Sequence, residues 1–189
     1  MMTKHIVLSG KKVSLGVIER KDLQTLWEYY GDFELRKYMS YGWMPVYYED
    51  QERWYERIVN ERWKRMTLGI IEKSSGKVIG TIGVRDINWR SGYGEIGYWI
   101  SRKYWGRGYA TEALSLMLEY CFEYLNLRKV FAKVFEPNIP SRRVLEKNGF
   151  RYIGRFRKHK YVAGEGYVDV LLFELLKDEW KKVRQAMDA

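Results

Sequence analysis

Two glycines, Gly106 and Gly108, separate a candidate buried strand from a candidate helix near the middle of the chain. Four of residues 95–100 are β-branched or aromatic, and the following helix carries apolar residues at spacings of three and four. The first amides of a helix lack intrahelical partners, and the helix dipole favours a negative charge beside them. Lys103 and Arg107 add positive charge at the same place. This pattern predicts a cradle for a pyrophosphate, and the simpler alternative is a glycine turn.

Two common nucleotide-binding motifs are absent from this loop. The sequence Gly-x-x-x-x-Gly-Lys of a Walker loop does not occur. A dinucleotide fingerprint requires a third glycine, and Thr111 stands at that position. The loop therefore needs a different explanation.

The run KYWGRGYA, which starts at Lys103, resembles the acetyl-CoA loop of the GNAT N-acetyltransferase superfamily, usually written Arg/Gln-x-x-Gly-x-Gly/Ala. Lys103 departs from that pattern, because lysine keeps the positive charge of arginine but has neither its planar guanidinium nor the side-chain amide of glutamine. A second block, NIPSRRVLEKNGF at 138–150, resembles the family signature Asn-x-x-Ser…Glu-Lys-x-Gly-Phe. The longer run YWGRGYATEA resembles the branch that acetylates N-termini of ribosomal proteins, with its polyamine- and antibiotic-acetylating relatives. The resemblance covers nearly the whole chain.

The resemblance implies that acetyl-CoA is the co-substrate and that the backbone of Trp99 and Ile100 pairs with the amides of its pantetheine arm. Asn138 then contacts the cofactor, although it could instead form a turn before Pro140. Arg143 and Lys147 are candidates for the adenosine phosphates, with a solvated helix face as the alternative. The cofactor residues are Trp99, Ile100, Lys103, Trp105, Gly106, Arg107, Gly108, Tyr109, Ala110, Asn138, Ser141, Arg143 and Lys147.

Acetyl transfer to an amine requires that the amine lose a proton and that the departing thiolate gain one. The family places a catalytic glutamate where Glu95 stands, and strand alternation puts Glu95 on one face with Gly97 and Trp99. Its alternative is a solvent-facing glutamate at a strand end. Ser141 aligns with the family's general acid, and its alternative role is a helix N-cap. Other candidates are Glu165, Asp169 and Glu174 as base, and Tyr152 and Tyr161 as acid.

The acceptor is an amine of undetermined identity. A protein N-terminus is the first hypothesis, and a polyamine or other small amine is the alternative. The first helical region is locally acidic, with Glu28, Asp32, Glu34, Glu49, Asp50, Glu52 and Glu56. These carboxylates could bind a cationic acceptor, and the alternative is that they form ordinary solvated helix faces. A hypothesis of another class is a non-catalytic acyl-CoA-binding or ribosome-associated module.

Composition sets further expectations. The 189 residues suit one domain spanning 1–189. Cys121 is the single cysteine, which favours a cytoplasmic setting, and no apolar run is long enough to span a membrane. The net charge is +10, but the basic residues are dispersed and no nucleic-acid motif accompanies them, so direct nucleic-acid binding is not expected. No metal site is expected, because the two histidines are far apart. A homodimer is compatible with this interpretation.

The predicted order of elements indicates a mixed α/β fold of the α+β type, with a largely antiparallel twisted sheet flanked by helices. A single parallel pairing joins the strand before the glycine loop to the strand at 129–135. The resemblance implies that these two strands splay apart and form the acetyl-CoA cleft. Strands are predicted at 13–18, 66–72, 78–86, 95–100, 129–135, 150–155 and 168–175, and helices at 23–30, 49–64, 110–125, 140–148 and from 177.

Overall fold

One eight-stranded sheet runs through the computed structural model, which describes residues 4–188. The strands lie in the order β1-β2-β3-β4-β5-β6-β8-β7. Each neighbouring pair is antiparallel except β5 with β6, which is parallel. The strands are β1 Ile6–Ser9, β2 Val13–Gly16, β3 Met66–Glu72, β4 Val78–Asn88, β5 Tyr93–Ile100, β6 Lys129–Phe135, β7 Arg151–Val162 and β8 Gly166–Leu176.

Helices cover both faces of this sheet. They are α1 Leu23–Tyr30, α2 Phe33–Arg36, α3 Tyr48–Asn60, α4 Tyr109–Glu119, α5 Ile139–Lys147 and α6 Lys177–Asp188. A π-helical turn at Tyr120–Tyr124 extends α4, and 3₁₀ turns occupy Arg20–Asp22 and Arg102–Tyr104. None of the helices described is long and apolar enough to cross a membrane.

The two faces of β5 enter different clusters of apolar side chains. Ile96 and Ile100 are buried in the larger cluster, which includes the inner face of α4. Trp99 packs instead on the cluster formed with α1 and α3. The alternation expected from the sequence is therefore confirmed, and it places Glu95 on the α1–α3 side of the sheet.

The parallel pairing of β5 with β6 covers only the first three residues of β5. The register joins Tyr93 to Lys129 and ends with Glu95 beside Phe131. Beyond that point β5 continues to Ile100 paired with β4 alone, while β6 continues beside β8. The two strands thus diverge and leave a cleft between them, as the sequence resemblance implied.

Most predicted elements are confirmed, and most of their bounds shift by a few residues. The exception is β7, which was predicted to end at residue 155 and continues to Val162. The prediction lacked two elements, β1 and the short α2. Asp22 does not cap α1 with its side chain, because its carboxylate accepts from Glu19 N at 2.9 Å and from Lys4 Nζ at 2.6 Å. Helix α3 ends at Asn60 rather than at residue 64.

Candidate active site

The glycine loop opens directly into α4. Gly106 and Gly108 have φ of 74° and 79°, values that glycine adopts without strain. Gly108 occupies the N-cap position of α4, and no side chain of the described residues caps the amides of the first turn. A Cβ built on Gly106 would meet no atom within 4 Å, so the loop surface is open. These features fit a cradle in which backbone N–H groups bind an anion.

Basic side chains surround this cradle. The Lys103 ammonium lies 5.7 Å from the centre of the Tyr29 ring, and the Arg107 guanidinium lies 5.6 Å from that of Tyr104. Lys12, on the turn between β1 and β2, donates to Arg107 O at 3.1 Å. Lys12 was missed because its contact with the loop joins residues far apart in sequence.

The end of β5 directs alternate backbone groups to opposite sides. Ser101 N donates to Ile79 O at 2.8 Å, and the Trp99 carbonyl points toward Gly80 of β4, since a Cβ there would lie 2.1 Å from Trp99 O. The Ile100 carbonyl points the other way and accepts from Trp105 Nε1 at 2.7 Å. The Trp99 carbonyl therefore faces β4 and not the cleft, contrary to expectation. Because backbone groups alternate along a strand, those of Tyr98 and Ile100 point toward the cleft instead.

Across the cleft, α5 begins with two of the predicted residues. Asn138 is the N-cap, and its Oδ1 accepts from Ser141 N at 3.3 Å. The expectation that Ser141 caps the helix is therefore wrong, because Ser141 is the third helical residue. Its Oγ lies 3.1 Å from the hydroxyl of Tyr98 on β5.

Sequence analysis missed Tyr98. Alternation had placed it on the same strand face as Ile96 and Ile100, but nothing in the sequence linked it to Ser141. Desolvation raises the pKa of Tyr98 to about 12. The Tyr98 phenol is therefore protonated at neutral pH, and its hydroxyl lies within hydrogen-bond distance of Ser141 Oγ.

Glu95 is a buried residue, with 4% of its surface exposed. Its Oε1 accepts from Arg85 at 2.6 Å, and its Oε2 accepts from Lys133 at 3.0 Å. It is therefore not the solvent-facing glutamate of the alternative interpretation. An amine that reaches it must share the carboxylate with two cations or displace one of them.

An open slot lies beside Glu95 on the same face of β5. A Cβ built on Gly97 would meet no atom within 4 Å, and Gly97 is in register with Gly83 of β4. Beyond this gap the Trp99 ring stands 5.4 Å from that of Tyr30. The slot has a charged end and an aromatic end, and it has room for an acceptor or a bridging water.

The other candidate bases are all engaged. The Glu165 carboxylate accepts hydrogen bonds from Lys37 Nζ, at 2.5 Å, and from the Tyr38 hydroxyl. The bond from Lys37, and to a smaller extent that from Tyr38, lowers the pKa of this carboxyl. Asp169 pairs with Arg155 at 3.2 Å, and Glu174 with Lys129 at 3.0 Å.

The remaining candidate residues lie at the surface. Tyr152 and Tyr161 are exposed on β7, the edge strand. Arg143 and Lys147 are exposed on α5, with no carboxylate within salt-bridge distance among the described side chains of residues 4–186. They lie on a solvated helix face and are free to contact a phosphate.

Comparisons with known proteins agree with this geometry. A family model described as an acetyltransferase (GNAT) domain matches residues 13–151. The chain belongs to the GNAT acetyltransferase family. The uncharacterized N-acetyltransferase p20 of Bacillus licheniformis is 34% identical over 92% of this chain and 97% of its own. YdaF of Bacillus subtilis, named provisionally as a ribosomal N-acetyltransferase, is 30% identical over 91% of this chain and 95% of its own.

A solved GNAT structure has the same fold. Spermidine N-acetyltransferase from Vibrio cholerae, in complex with CoA and spermine, matches with a TM-score of 0.82 at 21% identity. The match covers 91% of this chain and 99% of that one. That likeness concerns the fold. The family match, together with the two relatives named as N-acetyltransferases, makes this chain an acetyl-CoA-dependent N-acetyltransferase with an amine acceptor.

The residues of the loop fit the diphosphate of the GNAT co-substrate. The open surface at Gly106, the uncapped start of α4 and the neighbouring Lys103 and Arg107 supply space, N–H donors and positive charge. Acetyl-CoA supplies the reactive thioester, while the chain binds the carrier and orients the acceptor.

Replacing Gly108 with alanine should weaken CoA binding at least tenfold, because the new Cβ stands on the surface that the diphosphate approaches. Gly164→Ala is the matched control, since Gly164 has φ of 81° against 79° at Gly108 but lies in the β7–β8 turn. Both variants carry a similar strain of about 1–2 kcal/mol. Isothermal titration of each folded variant with CoA measures the difference, and equal affinities in the two variants would contradict the cradle.

Proposed function

We propose that this enzyme acetylates the α-amino group at the N-terminus of a peptide or protein. The observation that carries the proposal is the state of the acidic side chains around the slot. Glu95 lies between Arg85 and Lys133, and Glu174 is paired with Lys129 in the same cross-strand row. These carboxylates have lysine or arginine partners, so little negative charge is left for an acceptor that carries several positive charges.

The proton requirement supports the same acceptor. An α-amino group has a pKa near 7.7, whereas a lysine-like amine has a pKa near 10.4. At pH 7 about one in six α-amino groups is neutral, compared with about one in 2,500 lysine-like amines. An enzyme whose nearby carboxylates are already occupied by cations suits an amine that loses its proton readily.

The acidic region on α1–α3 gives less support to a polyamine. It borders a cavity of about 870 Å³ that is lined by four acidic residues and by Arg20, Arg53 and Arg57. Arg20 bonds to Glu56, and elsewhere in the region Arg102 pairs with Asp32 at 2.9 Å. A polyamine would have to displace these arginines. The name of YdaF, a relative over most of the chain, also favours a ribosomal-protein N-terminus.

The proposal assigns roles to both sides of the cleft. Glu95 takes the proton from the acceptor amine, directly or through one water in the slot at Gly97. On the opposite side, Ser141 protonates the leaving thiolate, and Tyr98 hydrogen-bonds to that serine and supports the transfer. In this scheme the amine enters from the α1–α3 side, and the thioester lies in the splay between β5 and β6.

An acceptor panel tests the proposal. One peptide has a free N-terminus and no lysine, a second has the same sequence with an acetylated N-terminus and one lysine, and spermidine is the third acceptor. With acetyl-CoA at pH 7.5, thiol release and mass spectrometry should give the free N-terminus a kcat/KM at least tenfold above the other two. A higher kcat/KM for spermidine would replace the proposal with a polyamine acetyltransferase.

Glu95→Gln should lower kcat for the peptide acceptor by about 10²–10⁴-fold near pH 7, since the amide cannot accept the proton. The rate should partly recover above pH 8, because more of the amine is then neutral without a base. CoA affinity should be unchanged. Glu174→Gln is the control, because it also removes a lysine-paired carboxylate from this sheet face. Superimposable pH–rate profiles for Glu95→Gln and wild type would exclude Glu95 as the base.

A further inference from the structure

A basic cavity of about 390 Å³ lies next to the glycine loop, on the side of β1–β4. It is formed by two turns and the start of α4, and its lining consists of Lys11, Lys12, Lys73, Ser74, Arg107 and Tyr109. Nothing in the sequence motifs singles out its three lysines, because they come from the β1–β2 turn and the β3–β4 turn.

The two turns are fixed to each other and to α4. Lys73 Nζ donates to Gly10 O at 2.9 Å, and Lys73 N donates to Lys12 O at 3.0 Å. The carboxylate of Glu112 on α4 accepts from the backbone of Lys11 and Lys12, the latter at 2.9 Å. Backbone contacts and the Lys73 ammonium therefore preorganise the cavity, while backbone N–H groups alone hold Glu112.

The charges in this cavity are unbalanced. Within the described chain, none of its three lysines has a carboxylate within salt-bridge distance, and Arg107 approaches only Glu72, at 3.9 Å. Glu72 is itself held by Ser75 at 2.6 Å and by Tyr109 at 2.7 Å, and these hydrogen bonds lower the pKa of its carboxyl. Three lysines and Arg107 thus share this small space with two carboxylates, Glu72 and Glu112, and the excess of positive charge favours a bound anion.

We infer that this cavity binds the phosphomonoester of the CoA nucleotide and selects CoA over its dephosphorylated form. Such a phosphate carries a charge of about −1.5 to −2 near pH 7 and three acceptor oxygens, which the lysines and Ser74 can satisfy. The cavity adjoins the cradle, since Lys12 Nζ would lie 3.4 Å from a Cβ on Gly108. The inference rests on acetyl-CoA as co-substrate and is independent of the acceptor.

Titration calorimetry with CoA and dephospho-CoA, without acceptor, tests the assignment. Wild type should bind CoA at least tenfold more tightly than dephospho-CoA. Lys11→Met and Lys73→Met should each reduce this ratio about three- to tenfold and leave the Kd of dephospho-CoA unchanged. Lys77→Met is the matched control, because it removes a charge from the same β3–β4 turn outside the cavity and should keep the wild-type ratio.

The ratio of the two dissociation constants is unaffected by a loss of affinity that is common to CoA and dephospho-CoA. If Lys73→Met does not fold, Lys11→Met alone tests the inference. An unchanged ratio in the Lys11→Met/Lys73→Met double variant would overturn the inference. A loss of the preference for CoA in Lys147→Met, on α5, would overturn it as well. Inorganic phosphate should compete with CoA and leave dephospho-CoA binding unaffected. Phosphate that binds only outside the cavity would contradict the inference.

Failure of the inference differs from failure of the co-substrate assignment. If wild type bound neither nucleotide, acetyl-CoA itself would be excluded as co-substrate, whereas equal binding of both would exclude only the phosphate site.

Discussion

The end of the β5–β6 pairing after Glu95 and Phe131 is the constraint on which the candidate site depends. Backbone N–H and C=O groups need partners when they leave water, and β6 no longer supplies them to the second half of β5. A ligand that carries amides can complete this edge as a further strand would. On the other side, β5 stays paired with β4 from Glu95 to Ile100, so the sheet itself holds the gap open.

Each part of the site has a fixed position relative to this gap. At one end β5 runs into the glycine loop, so the diphosphate cradle follows directly from the strand. On one face of the sheet, Tyr98 meets Ser141 at the start of α5. On the other face, Glu95 and the slot over Gly97 lie toward α1–α3. The proposed acid and base therefore approach the same gap from opposite faces, which suits a direct transfer between thioester and amine.

Much of this arrangement was predictable because its causes are local. Period-two alternation in β5, the glycines before α4 and the Asn-Gly end of α5 determine those elements from neighbouring residues. The ionic environment of Glu95 was not predictable, since Arg85 and Lys133 reach it from β4 and β6 through strand register. The same reason applies to Tyr98 with Ser141 and to the lysine cavity. Strand β1 was missed because it is a short and largely exposed edge strand.

In the proposed mechanism, the amine acceptor occupies the slot at Gly97 beside Glu95. Gly97→Val tests it most directly, because a Cβ there meets no protein atom within 4 Å and a β-branched residue suits a strand. The variant should keep the wild-type thermal midpoint and CoA affinity, while kcat/KM for the acceptor falls at least tenfold. A folded Gly97→Val enzyme with wild-type kcat/KM would contradict the claim and place the acceptor elsewhere.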